Sequence, residues 1–395
     1  MRDYAVRKHM TVESSLLQSR VTDWLLRRMP TSGVRRVAPL VAAIASEIGS
    51  VREENQDRAV IARGWSSQGQ DYSVIAVADG IGGMRDGAQC AAVTIGAFLA
   101  AIDERAQAGS GTSEEWISAA AHTANEAVFS QFRGDGGSTL VALLIRPGAP
   151  VCWLSVGDSR VYCARGKNLA QVSVDDTIAG QLGKSSDGAE SEQSQLLQFI
   201  GMGDDLEPHC AELTSEPIDA AVLTTDGVHY LGGAPGWLDM IVYNAPDPGF
   251  CVKRLVDLAK WCGGPDNATV AMIALSAERE PEDRPSYPCL EVWDAFGELQ
   301  ILDRGIVGHA HMDRHSPRPM VLSSPTVAPE AQTPERMSPS DKSVRERERP
   351  GGGKPRRSKS GRKGKRSTNE QDQTPSASAK GEEPQLHMEF PTKPN

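Results

Sequence analysis

Five aspartates in this 395-residue chain stand where an apolar run meets a loop. In "VIAVADGIGGMRDG" (74–87) the run stops at Asp79 and gives way to glycines. "AVLTTDGVHYL" repeats the arrangement at Asp226-Gly227, and "WLSVGDSRVY" breaks a run with Gly157-Asp158. "PDNATVAMIAL" and "VREENQDRAV" place Asp266 and Asp57 just before a run begins. One Asp-Gly after an apolar run suits a hairpin turn, and each of these alone stays open to that reading. Together they put five acids where strands meet loops, which is where sheets present functional groups to water. Several carboxylates converge only with positive charge between them, because like charges a few ångströms apart repel strongly. Hard divalent cations supply it: Mg²⁺ and Mn²⁺ prefer oxygen ligands and keep several waters. The eight histidines and seven cysteines are scattered and offer no zinc-like set. Paired ions of the oxygen-liking kind serve phosphoryl hydrolysis.

The acids need a scaffold, and the apolar runs at 72–78, 138–145, 151–156, 220–224 and 268–275 suit strands. Between the first two lie "AAVTIGAFLAAIDERAQ" (91–107) and "SEEWISAAAHTANEAVFSQF" (113–132), both with helical spacing, the second with Ser113 as its expected N-cap. Strands on both sides of a central helical pair exclude a regular βαβ repeat and fit an α+β fold, sheets covered by helices.

Outside this segment the patterning changes. "SLLQSRVTDWLLRRM" (15–29) sets Leu16, Leu17, Val21, Trp24, Leu25 and Met29 near one helical face, so residues 1–36 are read as an extension with an amphipathic docking helix. In 278–303, "LEVWDAFGELQIL" suits either a hairpin turning at Gly297 or a short recruitment segment. From 304 to 395, Ser, Pro, Gly and charges dominate, and a disordered tail is expected. Within it, "RERERPGGGKPRRSKSGRKGKRS" carries eleven Lys/Arg against two Glu, a solvated run or a contact for nucleic acid, anionic lipid or an acidic partner. The net charge of −10 therefore understates the acidity of the remainder, which argues against general nucleic-acid binding there. No window reaches the roughly 20 apolar residues of a membrane span, the N-terminus lacks a secretory core, and the dispersed cysteines suit a reducing, cytoplasmic setting.

"REENQD", "VADGIGG", "GGSTLV", "VGDSRVY", "LTTDGV" and "DNATV" occur in order over about residues 40–277, and in this the chain resembles the metal-dependent protein phosphatases (protein phosphatase 2C-like) in their bacterial form. The resemblance implies a domain at 37–277 built as a four-layer α-β-β-α sandwich of two antiparallel sheets flanked by helices. It also implies Mn²⁺- or Mg²⁺-dependent hydrolysis of phosphoserine and phosphothreonine in proteins, with two ions per active site. By resemblance Asp79 bridges both ions, Gly80 offers its carbonyl, and Asp57 binds one ion partly through water. Asp226 and Asp266 match the acids that complete the coordination of the second ion, and Asp158 matches the acid some bacterial members use for a third, weaker ion. Arg52 matches the arginine that grips the substrate phosphate, a task suited to a planar guanidinium. A water bridging the ions then loses its proton readily, and the resulting hydroxide attacks phosphorus in line with the leaving oxygen.

Two departures from the eukaryotic pattern stand out. The first motif has Gln56-Asp57 in place of an acid pair, and residue 81, often a histidine proposed as general acid, is Ile81. The segment 174–209 resembles the variable flap that helps choose substrates, with 183–193 expected to be mobile. His122 is read as a surface or packing residue, His229 as a distant candidate for the site, Gly136-Gly137 as tight strand packing near it, and Ser138 and Thr139 as not catalytic. The family's usual partner is a Ser/Thr kinase whose work the enzyme reverses, and the chain is expected to act as a monomer. The contrary class is a catalytically weak phosphoprotein-binding adaptor recruiting through its tail; the presence of every expected acid speaks against it.

Overall fold

The computed structural model describes residues 15–65, 70–181, 195–213, 217–231, 236–276 and 289–302, all within the unit Met1–Met312. The segment expected to be mobile (183–193), residues 278–288 and the tail with its basic run lie outside them. Helix α1 (Leu16–Leu25) leads into strands β1 (Ser32–Val37), β2 (Ala42–Glu47), β3 (Arg58–Trp65) and β4 (Asp71–Ala78). Helices α2 (Gly87–Ala108) and α3 (Ser113–Phe132) precede β5 (Leu140–Ile145), β6 (Cys152–Val156), β7 (Arg160–Arg165) and β8 (Asn168–Gln171). Then follow α4 (Ile178–Gln181), β9 (His209–Glu212), β10 (Ala220–Thr224), α5 (Asp226–His229), α6 (Trp237–Asn244), α7 (Pro248–Trp261), β11 (Ala268–Ala274), β12 (Cys289–Trp293) and β13 (Glu298–Ile301).

The strands form two sheets, β1-β2-β11-β10-β7-β8 and β13-β12-β3-β4-β5-β6-β9, and every pairing is antiparallel. Side-chain alternation explains why β4 reads as unbroken apolar sequence. Val74, Ala76 and Ala78 face the core under α1, α2 and α3, whereas Ile75 and Val77 face the core between the sheets. Both faces of β4 are therefore dry, and each Val or Ile buried there contributes about 1.5–3 kcal/mol. Strand β11 does the same for the other sheet, with Val270 and Met272 toward α6 and α7 and Ala271 and Ile273 toward the inter-sheet core. The layers are thus helix, sheet, sheet, helix.

Helix α3 begins at Ser113, but its cap is Thr112 and not Ser113. Glu115 N–H donates to Thr112 Oγ1 at 3.1 Å while Thr112 N–H donates to Glu115 Oε2 at 2.9 Å. The reciprocal bonds of a capping box need the acid three residues after the cap, which singles out Thr112. Helix α1 packs on α2 through Leu17, Val21 and Leu25, all buried, while Leu16 is exposed. A Cβ on Gly96 of α2 would collide with Thr22 Oγ1, so glycine there permits the close approach. Strands β12 and β13 form a hairpin with Leu290 opposite Ile301 and Val292 opposite Leu299, and β12 extends the second sheet beside β3. Among the described residues, no helix is long and apolar enough to cross a membrane.

Candidate active site

Asp79 follows the last residue of β4, and its backbone is pinned to the neighbouring β5 edge. Its N–H donates to Thr139 Oγ1 at 2.9 Å, and Thr139 N–H returns a bond to Asp79 O at 2.8 Å. Thr139 Oγ1 also meets Ser159 Oγ at 2.7 Å, which ties the Asp79 turn to the Asp158 turn. Gly80 N–H donates to Gln56 O at 3.3 Å, and a Cβ on Gly80 would strike the Gly87 backbone. Only glycine lets the two chains lie this close. Arg52 crosses over Gly82, where a Cβ would stand 3.0 Å from its Nη1. Gly80 therefore permits the close pass along Gly87, and Gly82 leaves the arginine its place.

Asp226 opens α5 directly after β10, and Asp266 sits just before β11, so the two acids leave adjacent antiparallel strands at the same end. Asn267 holds the loop opposite them. It accepts from Gln56 N–H at 2.8 Å and donates through Nδ2 to Ile48 O at 2.9 Å and Glu54 O at 3.1 Å. Arg52 Nη2 donates to Asp266 Oδ2 at 2.7 Å.

Asp79, Asp158, Asp226 and Asp266 line one cleft of about 480 Å³ together with Arg52 and Gly80. Ile81, Met84, Leu196 and Phe199 make an apolar wall of the same cleft. Asp57 does not line it. It is 2% exposed and stands behind the other acids, accepting from Thr225 Oγ1 at 3.0 Å and from nothing through Oδ1. A buried hydroxyl relay carries that contact onward, since Thr225 Oγ1 accepts from Thr269 N–H at 3.0 Å and Thr269 Oγ1 meets Ser46 Oγ at 2.8 Å. The sequence reading gives Thr139 no part in the site and leaves Asn267 and Thr225 unremarked. Asn267 and Thr225 each stand beside an acid at the end of an apolar run, the one local signal that they hold a turn.

Electrostatics show the acids acting on one another. Burial pushes the Asp57 carboxyl up to about 7, with hydrogen bonding from Thr269 opposing and the Asp226 charge adding to it. Burial pushes Asp158 up to about 8, reinforced by Asp226 and Asp175. Asp226 rises to about 6 through burial and the Asp266 charge, against a hydrogen bond from Asp79. Asp79 lies well above the ordinary range, through burial and then the charges of Asp57, Asp226, Asp158 and Asp266. The Arg52 guanidinium is raised by its bond to Asp266, and feels Asp79 and Asp226 as well.

The donor set suits hard divalent cations. It is all oxygen, it is crowded with mutually repelling carboxylates, and Asp57 Oδ1 and Asp226 Oδ1 are buried without a hydrogen-bond partner. Among the described residues, no three Asp, Glu, His or Cys side chains close into a ready-made metal cage. An open site of that kind fits Mg²⁺ or Mn²⁺, which take one or two carboxylates and keep water.

Other titratable groups lie apart. His229 is buried, shares a 2.8 Å hydrogen bond with Thr224 Oγ1 through Nδ1, and does not line the cleft; burial holds it well below its usual range. His122 is exposed on α3. Arg160 makes a buried ion pair with Asp175 at 2.8 Å, joining β7 to the chain entering the flap region.

The family described as Protein phosphatase 2C matches residues 50–257, and the chain belongs to that family. It is accordingly a protein-serine/threonine phosphatase. Protein phosphatase PhpP of Streptococcus pneumoniae is 26% identical over 250 residues, covering 60% of this chain and 98% of that protein. Serine/threonine protein phosphatase PstP of Mycobacterium tuberculosis is 27% identical over 241 residues, covering 58% of this chain and 44% of that protein. The solved PPM Ser-Thr phosphatase MsPP of Mycobacterium smegmatis, in complex with cacodylate, is similar with a TM-score of 0.50 and 27% identity, over 61% of this chain and 100% of that one.

Proposed function

We propose that this chain hydrolyses phosphoserine and phosphothreonine in proteins, opposing a Ser/Thr kinase, with a two-cation site held by Asp57, Asp79, Asp226, Asp266 and the carbonyl of Gly80. Asp158 would hold a third ion. The catalytic domain we assign is 37–277, with its sheets completed by β1 at 32–37 and by the β12–β13 hairpin at 289–301. The observation that carries the reading is the convergence of five acids whose charges act on one another, with a guanidinium at their edge. Bound Mn²⁺ or Mg²⁺ would supply an acidified water and positive charge for the phosphate oxygens.

The chain's own residues do the rest. Arg52 grips two phosphate oxygens through its planar fork, which orients the ester for in-line attack. Its pairing with Asp266 keeps the guanidinium extended over Gly82 before substrate arrives. Asp79 and Asp226, each with an edge open to the cleft, hold opposite sides of the site on two different sheets. Ile81 contributes no proton, so protonation of the leaving oxygen falls to water beside Asp158. The Ile81, Met84, Leu196 and Phe199 wall keeps bulk water from one side of the ester.

The deciding experiment incubates purified full-length protein and Mn²⁺ with a phosphothreonine peptide and follows released phosphate. Release that stops in chelator supports the reading. Full activity in chelator would overturn it.

A further inference from the structure

Two segments outside the family match, 16–29 and 289–302, meet at the back of the site. They meet through Arg27 and Asp294, 267 residues apart in sequence, at 2.8 Å between Nη2 and Oδ1. Arg27 also donates to Trp24 O at 2.7 Å and lies 4.0 Å from the centre of the Trp24 ring. Asp294 is 3% exposed and accepts from the N–H groups of Phe296 and Gly297 at 2.8 and 2.7 Å, so one carboxylate forms the hairpin turn and binds the helix end. A Cβ on Gly297 would stand 2.9 Å from Arg27 Nη2, and glycine leaves the guanidinium its place.

The contact leads to Asp57 through one residue. Arg58 is 6% exposed and spends its donors on carbonyls: Nε on Leu25 O at 2.8 Å, Nη1 on Asn55 O and Asp57 O at 2.7 Å each. Leu25 is the last residue of α1, so the helix end accepts directly from the side chain that grips the Asp57 peptide. Burial pulls the Arg58 guanidinium down, and the charges of Asp57, Glu54 and Asp294 offset it, against Arg27. Asp57, Glu54, Asp294 and Arg27 therefore all lie close enough to act on Arg58. A small cavity is lined in common by Leu25, Asp57, Arg58, Asp294 and Phe296.

We infer that Arg58, Arg27 and Asp294 are positioning residues: helix α1 and the β12–β13 hairpin form a brace that fixes the Asn55–Arg58 backbone and with it the Asp57 carboxylate. The brace holds the Asp57 backbone while the hydroxyl relay of Thr225, Thr269 and Ser46 reaches its carboxylate, and Asn55 Nδ2, donating to Ser46 Oγ at 2.8 Å, joins the two networks. Groups that hold a metal ligand in place weaken metal binding when they are lost, without removing a ligand. The inference rests on the proposal that Asp57 binds metal.

The test uses metal-free full-length protein and Mn²⁺ alone, with binding read by the loss of the free-ion electron paramagnetic resonance signal. Arg27→Gln and Asp294→Asn should each weaken Mn²⁺ binding about tenfold, the lower end of the loss expected when a group that holds a metal ligand is removed. The double variant should be no weaker than either single one, because both remove the same link. In metal-free protein, amide exchange at 55–58 should quicken in both variants, while exchange in β10, 220–224, stays unchanged. Turnover of an aryl phosphate at saturating Mn²⁺ should return to that of the parent. Unchanged Mn²⁺ binding together with unchanged exchange at 55–58 would overturn the brace. Faster exchange across every strand would overturn it too, by showing a general loss of stability. Asp57→Ala separates the two claims: if it leaves Mn²⁺ binding intact, the ligand reading fails, whereas if it weakens binding while the Arg27 and Asp294 variants do not, the brace alone fails.

Discussion

Arg52 and Asp266 form an ion pair of 2.7 Å at the mouth of the cleft, between a loop that precedes β3 and the residue that leads into β11. The side chains are 41% and 30% exposed, so the pair is wet and contributes little to stability. Its value is positional, since it presents a guanidinium above acids that would otherwise repel a phosphate. Arg52→Ala should lower kcat/KM for an aryl phosphate on the order of 10- to 100-fold, mostly through KM, as loss of a charge-assisted bond implies. Steady-state kinetics at saturating Mn²⁺ check this. An unchanged KM would remove Arg52 from the phosphate site.

Asp79 lies among four other acids, and that placement opposes folding in the absence of metal. Asp79→Asn keeps the shape and removes the charge. Activity should fall by more than about 100-fold, the scale of losing a metal-site group. The metal-free protein should at the same time melt higher by about 2–4 °C at pH 8, the shift that ~1 kcal/mol produces in a domain of this size. A lower melting temperature in chelator would mean that the acids do not repel as argued.

Proton linkage gives a third test. Unfolded aspartates titrate near 3.9, whereas Asp226 lies at about 6, Asp57 at about 7 and Asp158 at about 8 in the folded protein. These folded values are raised, so between about pH 4 and 8 the metal-free folded chain holds more protons than the unfolded one. Their stabilising contribution is complete below the unfolded value and is lost as pH rises through the folded values. Metal-free protein should therefore lose stability from pH 5.5 to 8.5. Cations replace those protons, so Mn²⁺ affinity should rise over the same window and binding should release protons. Thermal melts with Mn²⁺ and with chelator should diverge as pH increases. A constant gap would show that the acids are already ionised.

Gly80 tests the packing beneath the site. Gly80→Ala drives a methyl into the Gly87 backbone, and should cost about 1–3 kcal/mol as overpacking does. The Asp79 turn should shift with it, and activity should fall. Gly83 is the control: it has φ +85° with nothing within 4 Å of an added Cβ, so Gly83→Ala meets backbone strain alone. That strain costs about 1 kcal/mol. Equal activity losses would dissociate the Gly80–Gly87 contact from catalysis.

Much of the site could be read along the chain, and the reason lies in sheet geometry. Strand β4 is buried on both faces, so its apolar run had to end where a polar residue first meets water, and Asp79 marks that point. Asp226 and Asp266 follow the same rule at β10 and β11. Strand β2, "AAIASE", carried little strand signal because alanine and serine have weak β preference. Its state is decided by lying between β1 and β11. The cap of α3 lies one residue before the one expected, because Thr112 and Ser113 are chemically alike and only the position of Glu115 distinguishes them.

Local sequence carries the inventory: apolar runs of strand length, two long helices, five acids at run ends and an arginine near the first of them. The relations among them come from packing. Antiparallel order brought Asp79 of one sheet against Asp226 of the other, sent Asp57 behind the cleft instead of into it, and set Arg27 against Asp294. Periodicity and end signals act over a few residues, so they mark where a strand stops. They carry no information about which distant strand end it will stop beside, because that is settled by burial of both sheet faces at once.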